Sequence, residues 1–282
     1  MLLKSYAKIN LALNITGTRD DGYHLLDMVM LPIELHDTID IDFLGDGDDT
    51  YITCDKVELS ESTQYNICAK VVKVLRQRYG FNKSLQINIH KEIPISAGMG
   101  GGSSNAATVL KYLIQAAKIK ISKKELMSLA LEFGADVPFF IENKPSRISG
   151  IGKEIKHFDL NKKFYVVVIK PEKGLSTQTV YKECDKFKEL EKGDVETLID
   201  GLRKGDFNVV SNNLSNALEA PAIKLLPEIK DYIEFLKSEG LPARMTGSGS
   251  AVFALSNSWL KAMKVAKKAS KLNYDVFLTK ML

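Results

Sequence analysis

The stretch Pro94-Ile-Ser-Ala-Gly-Met-Gly-Gly-Gly-Ser-Ser104 lies between two segments with different periodicities. Before it, residues 84–93 alternate apolar and polar side chains, which predicts a half-buried strand. After it, apolar residues between 106 and 117 recur with a helical period, which predicts a helix. Glycines at such a strand-to-helix turn allow positive φ angles and let the backbone come close to a ligand. The N–H groups that open the helix then face an anion, and the helix dipole adds to the attraction.

This glycine segment therefore predicts a phosphate site, in which Ser103 and Ser104 offer hydroxyl groups to phosphate oxygens or to Mg²⁺. It differs from two familiar phosphate loops. The Gly-Lys-Ser/Thr ending of a P-loop is missing, and so is the acidic residue that follows a dinucleotide-binding loop by about twenty positions. A flexible Gly/Ser turn is the alternative, but the strand and the helix on either side favour the phosphate site.

The composition is that of an ordinary globular protein, with 282 residues, 45% of them hydrophobic and 26% charged. This length predicts one large or two moderate domains. The net charge is +4 and the pI is about 8.7, which suits a small polyanionic ligand. The lysines are scattered and form no stripe with aromatic residues, so the sequence argues against an RNA-binding module and against a nucleic-acid partner.

The three cysteines are odd in number and follow no metal-ligand spacing. Buried, reduced thiols in a cytoplasmic protein are the expected interpretation. No apolar stretch approaches the length of a membrane span, and the first residues run into a strand pattern rather than a signal peptide. We therefore expect a cytoplasmic protein with no membrane partner.

Near the N-terminus, residues 5–15 alternate apolar and polar side chains, which predicts a strand. On such a strand, Lys8 and Asn10 point to the same side, two residues apart. A lysine on the polar face of a strand is usually only solvated, so this position alone does not indicate catalysis.

A second candidate, Asp136, follows a predicted helix. That helix begins with a capping box formed by Ser122 and Glu125, and Gly134 is a typical residue to end it. Because Pro138 prevents the helix from continuing, we expect Asp136 in a loop that is fixed on both sides. A short acid in this place is also typical of a residue that caps a turn.

Four residues together have the types that phosphoryl transfer to an alcohol requires. A carboxylate such as Asp136 accepts the hydroxyl proton, and a lysine such as Lys8 offsets the negative charge that develops. Tyr23 and His24, directly after a turn at residues 18–22, form an aromatic–histidine pair that can hold a base or a sugar. Each of these two also has a plain structural alternative as a packing residue.

The second half of the chain carries another glycine element, Thr246-Gly-Ser-Gly249, between two strand-like pieces. It predicts either a simple β-turn or a second group of N–H groups that closes over phosphates or substrate. The other elements predicted here are a strand at 164–169, mostly helix at 180–236, a helix at 258–272 and a strand at 275–278. The Gly-rich passage near residue 150 suggests a boundary that divides the chain into domains 1–155 and 156–282.

Several strings resemble the GHMP kinases, a superfamily that includes galactokinase and the homoserine, mevalonate and phosphomevalonate kinases. The resemblance covers nearly the whole chain. The strings are Ala7-Lys-Ile-Asn-Leu11, Asp21-Gly-Tyr-His-Leu25, Pro94–Asn105, Gly101-Gly-Ser-Ser-Asn-Ala106, Gly134-Ala-Asp-Val-Pro-Phe139, Leu175-Ser-Thr-Gln-Thr-Val-Tyr181 and Thr246–Ser250. The resemblance implies an α+β fold with a ribosomal S5 domain 2-like N-terminal domain and a ferredoxin-like C-terminal domain.

It also implies an ATP site and a requirement for Mg²⁺. The residues expected at ATP are Pro94, Ile95, Ser96, Ala97, Gly98, Met99, Gly100, Gly101, Gly102, Ser103 and Ser104, with Asn66 on the adenine side. Lys8 and Asp136 match the catalytic pair of the family. The side chains that hold the metal stay open, and the oligomeric state is left as monomer or homodimer.

Within the superfamily, the strings are most similar to those of kinases whose acceptor is a cytidine diphosphate-linked methylerythritol of the non-mevalonate isoprenoid pathway. This likeness implies phosphorylation of the 2-hydroxyl of that small molecule, with the cytosine between the rings of Tyr23 and Tyr181. The substrate-binding residues it implies are Asn10, Tyr23, His24, Thr177, Tyr181, Gly247 and Ser248.

Two other functions compete with this expectation. A homoserine or mevalonate kinase would have no base for Tyr23, His24 and Tyr181 to bind. A nucleotide-binding regulator without turnover would not need both Lys8 and Asp136. The sequence therefore favours a kinase that acts on a cytidine-bearing acceptor.

Overall fold

The structure is a computed structural model that describes residues 1–56 and 66–282. Over these residues the chain forms eleven strands and ten helices. Strands β1–β11 are, in order, Leu2–Thr18, His24–Gly45, Thr50–Cys54, Ser84–His90, Ser146–Gly150, Glu154–His157, Tyr165–Lys170, Ser215–Asn216, Ala243–Met245, Val252–Ser256 and Asp275–Lys280. Helices α1–α10 are Ile67–Tyr79, Gly101–Ala116, Lys123–Phe133, Val137–Glu142, Thr177–Cys184, Val195–Lys204, Phe207–Asn212, Glu219–Leu225, Glu228–Ser238 and Trp259–Lys271.

The strands form two sheets. The seven-stranded sheet has the order β3-β4-β2-β1-β8, with β5 paired to β2 and β6 paired to β5. Its β3–β4 and β1–β8 pairs are parallel, whereas β2–β4 and β2–β5 are antiparallel. The four-stranded sheet has the order β11-β7-β10-β9 and is antiparallel throughout. One mixed and one antiparallel sheet with packed helices are the α+β class that the resemblance implied.

The chain divides into two compact units, neither of which is continuous in sequence. The first unit contains residues 1–7, 36–93 and 100–143, and the second contains residues 8–35, 94–99 and 144–282. Strands β1 and β2 each contribute residues to both units. The predicted domain boundary after residue 155 stays a prediction.

In the first unit a helix follows Asn66, and the strand before the glycine segment is shorter than predicted. Helix α1 begins after Asn66, whose Oδ1 accepts from the N–H of Cys68 at 2.9 Å, and ends at Gly80. Strand β4 ends at His90 rather than at residue 93, because the N–H groups of Glu92 and Ile93 donate to the carboxylate of Asp37 and not to a neighbouring strand.

Asp136 lies in a turn that is fixed on both sides, as predicted, and a short helix follows it directly. Helix α3 ends at Phe133, and Asp136 is the residue that precedes the short helix α4. Pro138 lies in the first turn of α4, where a missing N–H is tolerated. Gly134 ends α3 with extended backbone, at φ 160°, rather than in the left-handed conformation. Asp136 is therefore held between two helices.

In the second unit, the middle of β1 is buried on both faces, whereas the sequence predicted a polar face. Lys8 and Asn10 are only 3% and 1% exposed. Their side chains are covered by other parts of the unit: Asn10 Nδ2 lies 3.5 Å from the sulfur of Met28, and Gly247 lies against the ammonium of Lys8.

The rest of the second unit follows the predicted pattern. Helices α5–α9 occupy most of residues 177–238, and Ser258 caps helix α10. Strands β9 and β10 are antiparallel and are joined by the second glycine element. Strands β7 and β10 are almost wholly apolar and form the core of the four-stranded sheet. No helix in the described part of the chain is long and apolar enough to cross a bilayer.

Candidate active site

The two glycine elements touch through their backbones in the second unit. Gly98 has φ +71°, and a Cβ built there would lie 2.3 Å from the carbonyl oxygen of Thr246 and 2.9 Å from the nitrogen of Gly249. At Gly247, with φ +55°, a Cβ would lie 2.7 Å from the carbonyl oxygen of Gly98. No side chain fits at either position. The two elements therefore form one backbone-lined surface, which we call the glycine junction (Gly98, Thr246–Gly249).

Lys8 lies at this junction. Its Nζ donates to Asn10 Oδ1 at 2.5 Å, and a Cβ at Gly247 would lie 3.0 Å from the same Nζ. The backbone of β1 is tied to the junction as well, since Lys8 N–H donates to Met99 O at 3.1 Å and Asn10 N–H donates to Thr246 Oγ1 at 3.0 Å. The structure thus brings Lys8 and Asn10 together with Met99, Thr246 and Gly247, and it places a buried cation beside Gly247.

The first unit contains the helix that follows the glycine segment. Helix α2 begins after Gly100, at φ +73°, with no side chain bonded to its first N–H groups and no acidic residue in its first turn. Open N–H groups at the start of a sixteen-residue helix are a favourable place for an anion. The two serines of this turn differ: Ser103 is partly exposed, whereas Ser104 is buried and accepts from Ser5 Oγ at 2.7 Å.

Asp136 lies near the start of helix α2 in the same unit. Helix α4 packs against α2. Ser103 Oγ is 3.8 Å from the position that a Cβ would take at Gly134, two residues before Asp136. Asp136 itself is partly exposed and carries no hydrogen bond to the N-terminus of α4. The predicted acid and the predicted anion helix are thus neighbours in the fold.

The residues predicted to bind a base lie together in the second unit. The rings of His24 and Tyr181 are 5.0 Å apart between centroids and are inclined by 31°. Tyr23 precedes His24 and is 68% exposed, so its ring is open to solvent. Thr177 and Ser248, which the sequence also indicated, share a hydrogen bond of 2.8 Å between their hydroxyl groups.

Two neighbours of these residues were not singled out from the sequence. Asp185 Oδ1 lies 2.8 Å from His24 Nε2 and so fixes the imidazole. Asn216 Nδ2 donates to the carbonyl oxygens of Met245 and Gly247, at 2.8 and 2.9 Å, and so holds the second glycine element. His24 lies 161 positions from Asp185, and the second glycine element lies about 30 positions from Asn216. Local sequence patterns do not reveal pairs that are so far apart along the chain. No signal in the sequence motifs pointed to Asp185 or Asn216.

The structure gives Asn66, one of the predicted ATP residues, a structural role as a helix cap. Its Oδ1 caps helix α1 through the N–H of Cys68. Its contact with adenine stays a prediction, as do the ATP and substrate roles of the other named residues.

A surface cavity of about 480 Å³ lies in the first unit, away from all of these residues. Its lining contains none of the predicted site residues. The lining residues are Met1, Leu3, Lys4, Thr108, Lys111, Tyr112, Gln115 and Ala116.

Two of the three cysteines, Cys68 and Cys184, have the properties of structural thiols, whereas Cys54 is partly exposed rather than buried as predicted. Burial raises the pKa of Cys68 to about 12 and the pKa of Cys184 to about 11, so both stay protonated at neutral pH. A thiol that stays protonated is a poor nucleophile. Among the residues that the structure describes, no group of three or more His, Cys, Asp or Glu side chains could hold a metal ion.

Comparison with known proteins identifies the class of this fold and site. The family model for the GHMP kinases N terminal domain matches residues 66–144, and the model for the GHMP kinases C terminal matches residues 187–275. The chain belongs to the GHMP kinases and is an ATP-dependent small-molecule kinase. The predicted family and fold are confirmed.

Similar proteins carry a more particular name. A 4-diphosphocytidyl-2-C-methyl-D-erythritol kinase of Clostridium botulinum (strain Alaska E43 / Type E3) is 36% identical over 285 residues, with 100% of both chains covered. A crystal structure of 4-(cytidine 5'-diphospho)-2C-methyl-D-erythritol kinase matches with a TM-score of 0.85 and 28% identity, covering 100% of this chain and 99% of that one. Homoserine kinase from Cytophaga hutchinsonii matches with a TM-score of 0.70 but only 17% identity, which shows a shared fold alone.

Proposed function

We propose that this protein transfers the γ-phosphoryl group of ATP to the 2-hydroxyl of 4-diphosphocytidyl-2-C-methyl-D-erythritol, a step of the non-mevalonate isoprenoid pathway. The observation that carries the chemistry is the buried ammonium of Lys8 at the glycine junction. The identity of the acceptor is supported by the full-length similarity to kinases of that name. We also propose that the protein is located in the cytoplasm, where ATP is present.

The nucleotide end of the site consists of residues 94–104. The open N–H groups of α2 and the glycine backbone would bind the triphosphate, because aligned amide dipoles attract anions. Asn66 would lie on the adenine side. Ser103 would meet a phosphate oxygen, since its hydroxyl stands in the first turn of the helix and is partly exposed.

Mg²⁺ belongs to the same proposal. This ion binds oxygen ligands and in phosphoryl-transfer enzymes takes several of them from phosphates and water. The hydroxyl of Ser103, which is partly exposed in the first turn of α2, is an oxygen donor of the type it accepts. When bound, Mg²⁺ supplies charge neutralisation on the phosphates.

In the chemical step, the 2-hydroxyl oxygen attacks the γ-phosphorus. A new oxygen–phosphorus bond forms, the bond between the γ-phosphorus and the β–γ bridging oxygen breaks, and ADP leaves with the electron pair. The carboxylate of Asp136 accepts the hydroxyl proton. Lys8 offsets the negative charge that grows on the transferring group, a role in which a pre-positioned cation is most effective away from water.

The acceptor end would be formed by the second-unit residues around His24. A cytosine ring stacks well on flat aromatic side chains, and the exposed ring of Tyr23 and the ring of Tyr181 are offered for this purpose. His24, held by Asp185, presents its other ring nitrogen to the base edge. Asn10, Thr177, Gly247 and Ser248 would contact the remainder of the substrate.

The test is an ATP-consumption assay with the purified protein and three acceptors: 4-diphosphocytidyl-2-C-methyl-D-erythritol, homoserine and mevalonate. We expect turnover with the first acceptor and ADP formation that stops in excess chelator. Preferred turnover of homoserine or mevalonate would replace the proposed acceptor with the other GHMP type. Undiminished turnover without divalent cations would contradict the role given to Mg²⁺.

A further inference from the structure

A buried carboxylate in the first unit is bonded to the residues that lead into the glycine segment. Asp37, on β2, has a fully buried side chain. Its Oδ1 accepts from the N–H of Glu92 at 3.0 Å and from the N–H of Ile93 at 2.8 Å. These residues connect β4 to Pro94, so Asp37 fixes the chain where the segment begins.

The other oxygen of the same carboxylate is bonded to the residues that follow the segment. Asp37 Oδ2 accepts from Asn105 Nδ2 at 2.9 Å, and Asn105 lies in the first turns of helix α2. Oδ2 also accepts from the ammonium of Lys91, whose side chain is 5% exposed. One carboxylate therefore joins both ends of the glycine segment.

The bonds continue to the buried serine of the helix start. Lys91 Nζ also donates to Asn105 Oδ1 at 3.3 Å. Asn105 Nδ2 donates to Ser5 Oγ at 2.9 Å, and Ser5 Oγ donates in turn to Ser104 Oγ at 2.7 Å. We call these five residues the Asp37 cluster (Ser5, Asp37, Lys91, Ser104, Asn105).

The cluster is also packed tightly against the helix start. A Cβ at Gly101 would lie 3.1 Å from Lys91 Nζ and 3.1 Å from a methyl carbon of Ile93. The first residue of α2 is thus in contact with both the ammonium and the incoming chain. We therefore expect a change in the cluster to shift the start of the helix.

We infer that Asp37 is a positioning residue for ATP: through Ile93 on one side and Asn105 on the other, it fixes the spacing between the two ends of the glycine segment. This inference rests on the proposed binding of ATP by that segment. Glycine-rich backbone loses much conformational freedom when it becomes ordered. Because both ends of the segment are fixed, most of this freedom is lost when the protein folds. ATP then binds a segment that is already close to its bound conformation.

The first test is Asp37→Asn. The amide keeps an oxygen for Glu92 and Ile93 but turns an NH₂ group toward Lys91 and Asn105, so three donors meet and the bond to the helix is lost. We expect the KM for ATP to rise by about tenfold while the KM for the phosphate acceptor and kcat change by less than about twofold. A folded Asp37→Asn protein with the KM for ATP of the unchanged protein would overturn the inference, as would an equal rise in both KM values.

A second substitution in the same chain provides the rescue. In Asp37→Asn/Asn105→Asp, the new carboxylate at position 105 can accept from Lys91 and from the new amide at position 37, and the total charge is restored. We expect the KM for ATP to return to within about threefold of the original value. A double variant that regains thermal stability but keeps the raised KM would contradict a positioning role.

Leu85→Ala is the matched control for loss of stability. Leu85 is fully buried at the opposite end of β4, in the same unit. Its truncation lowers Tm without touching the cluster, and the KM for ATP is expected to stay within about twofold of the original. A rise like that of Asp37→Asn would show that general loosening of the unit explains the effect.

If Asp37→Asn does not fold, Asn105→Ala takes its place, because it removes the hydrogen bonds of Asn105 to Asp37, Lys91 and Ser5 but leaves the Asp37–Lys91 ion pair. We expect its KM for ATP to rise by about fivefold, and an unchanged KM would overturn the inference.

Binding of a non-hydrolysable ATP analogue to the unchanged protein is measured first. No binding there counts against the proposed function, whereas binding that the variants do not weaken counts against the role of Asp37.

Discussion

Two buried lysines of this protein lie against glycines in different surroundings. In the second unit, Lys8 donates to the neutral amide of Asn10 and lies beside the backbone of Gly247. In the first unit, Lys91 forms an ion pair with the buried carboxylate of Asp37, and its ammonium lies beside Gly101. The comparison teaches that burial alone does not identify a catalytic lysine. The place in the fold decides: the charge of Lys91 holds the fold, and we propose that the charge of Lys8, beside the glycine junction, acts on the phosphoryl group.

The same distinction between a structural and a catalytic residue applies to Asp37 and Asp136 of the first unit. Asp37 has both oxygens occupied by donors of its own unit, four in all. Asp136 is partly exposed and stands at the start of a short helix next to the turn of α2. We therefore propose Asp37 as the structural acid and Asp136 as the catalytic one.

The largest effect is expected for Asp136→Asn. An amide cannot accept the hydroxyl proton, so kcat should fall by about a thousandfold or more, while Tm and the binding of an ATP analogue stay nearly unchanged. Steady-state kinetics and analogue titration measure the two quantities. Full activity in this variant would remove Asp136 from the mechanism and break the comparison of the two acids.

The two lysines are compared by the same substitution. Lys8→Met is expected to lower kcat by about a hundredfold or more with little change in Tm, because a cation is lost at the transferring phosphate.

Lys91→Met is expected to lower the free energy of unfolding by about 3–5 kcal/mol, because Asp37 is left as an unpaired buried charge. The kcat of the folded fraction should change little. If both variants instead lost stability and kept kcat, the distinction between the two lysines would be wrong.

At the glycine junction, Gly98→Ala is expected to cost about 3 kcal/mol of stability and most of the activity. The added Cβ would meet the backbone of Thr246 and Gly249 and would also be strained at a positive φ. Gly102→Ala is the control for thermal unfolding, since a Cβ there meets nothing within 4 Å and helical alanine is favourable. If Gly98→Ala melted at the original temperature, the close backbone contact between Gly98 and Thr246–Gly249 would not be needed for stability.

The smallest effect is expected at the base site. His24→Ala should raise the KM for the cytidine-bearing acceptor by about tenfold and leave the KM for ATP unchanged. Tyr51→Ala removes an exposed aromatic ring from the first unit and serves as the control. Equal rises for both substrates in His24→Ala would place the histidine outside the base site.

The sequence predicted much of the fold because local patterns encode it. Alternation and helical periodicity correctly indicated β1, β4 and α2, and the glycine segment was correctly placed between a strand and a helix. It was wrong on one local point, since the middle of β1 has no solvated face. It also did not register the short helix α4 that follows the turn at Asp136. Neighbouring parts of the chain cover β1, and periodicity does not register such contacts.

The sequence by itself determined the family, the glycine elements and the side-by-side placement of Lys8 and Asn10, since each depends on residues that are close along the chain. Only the tertiary structure decided the Asp37 cluster and the support of Gly247 by Asn216. The bond from Asn105 to Ser5 spans 100 positions, and the ion pair of Lys91 with Asp37 spans 54. Hydrogen bonds and ion pairs act over a few ångströms of space, and folding alone brings such distant residues within that range.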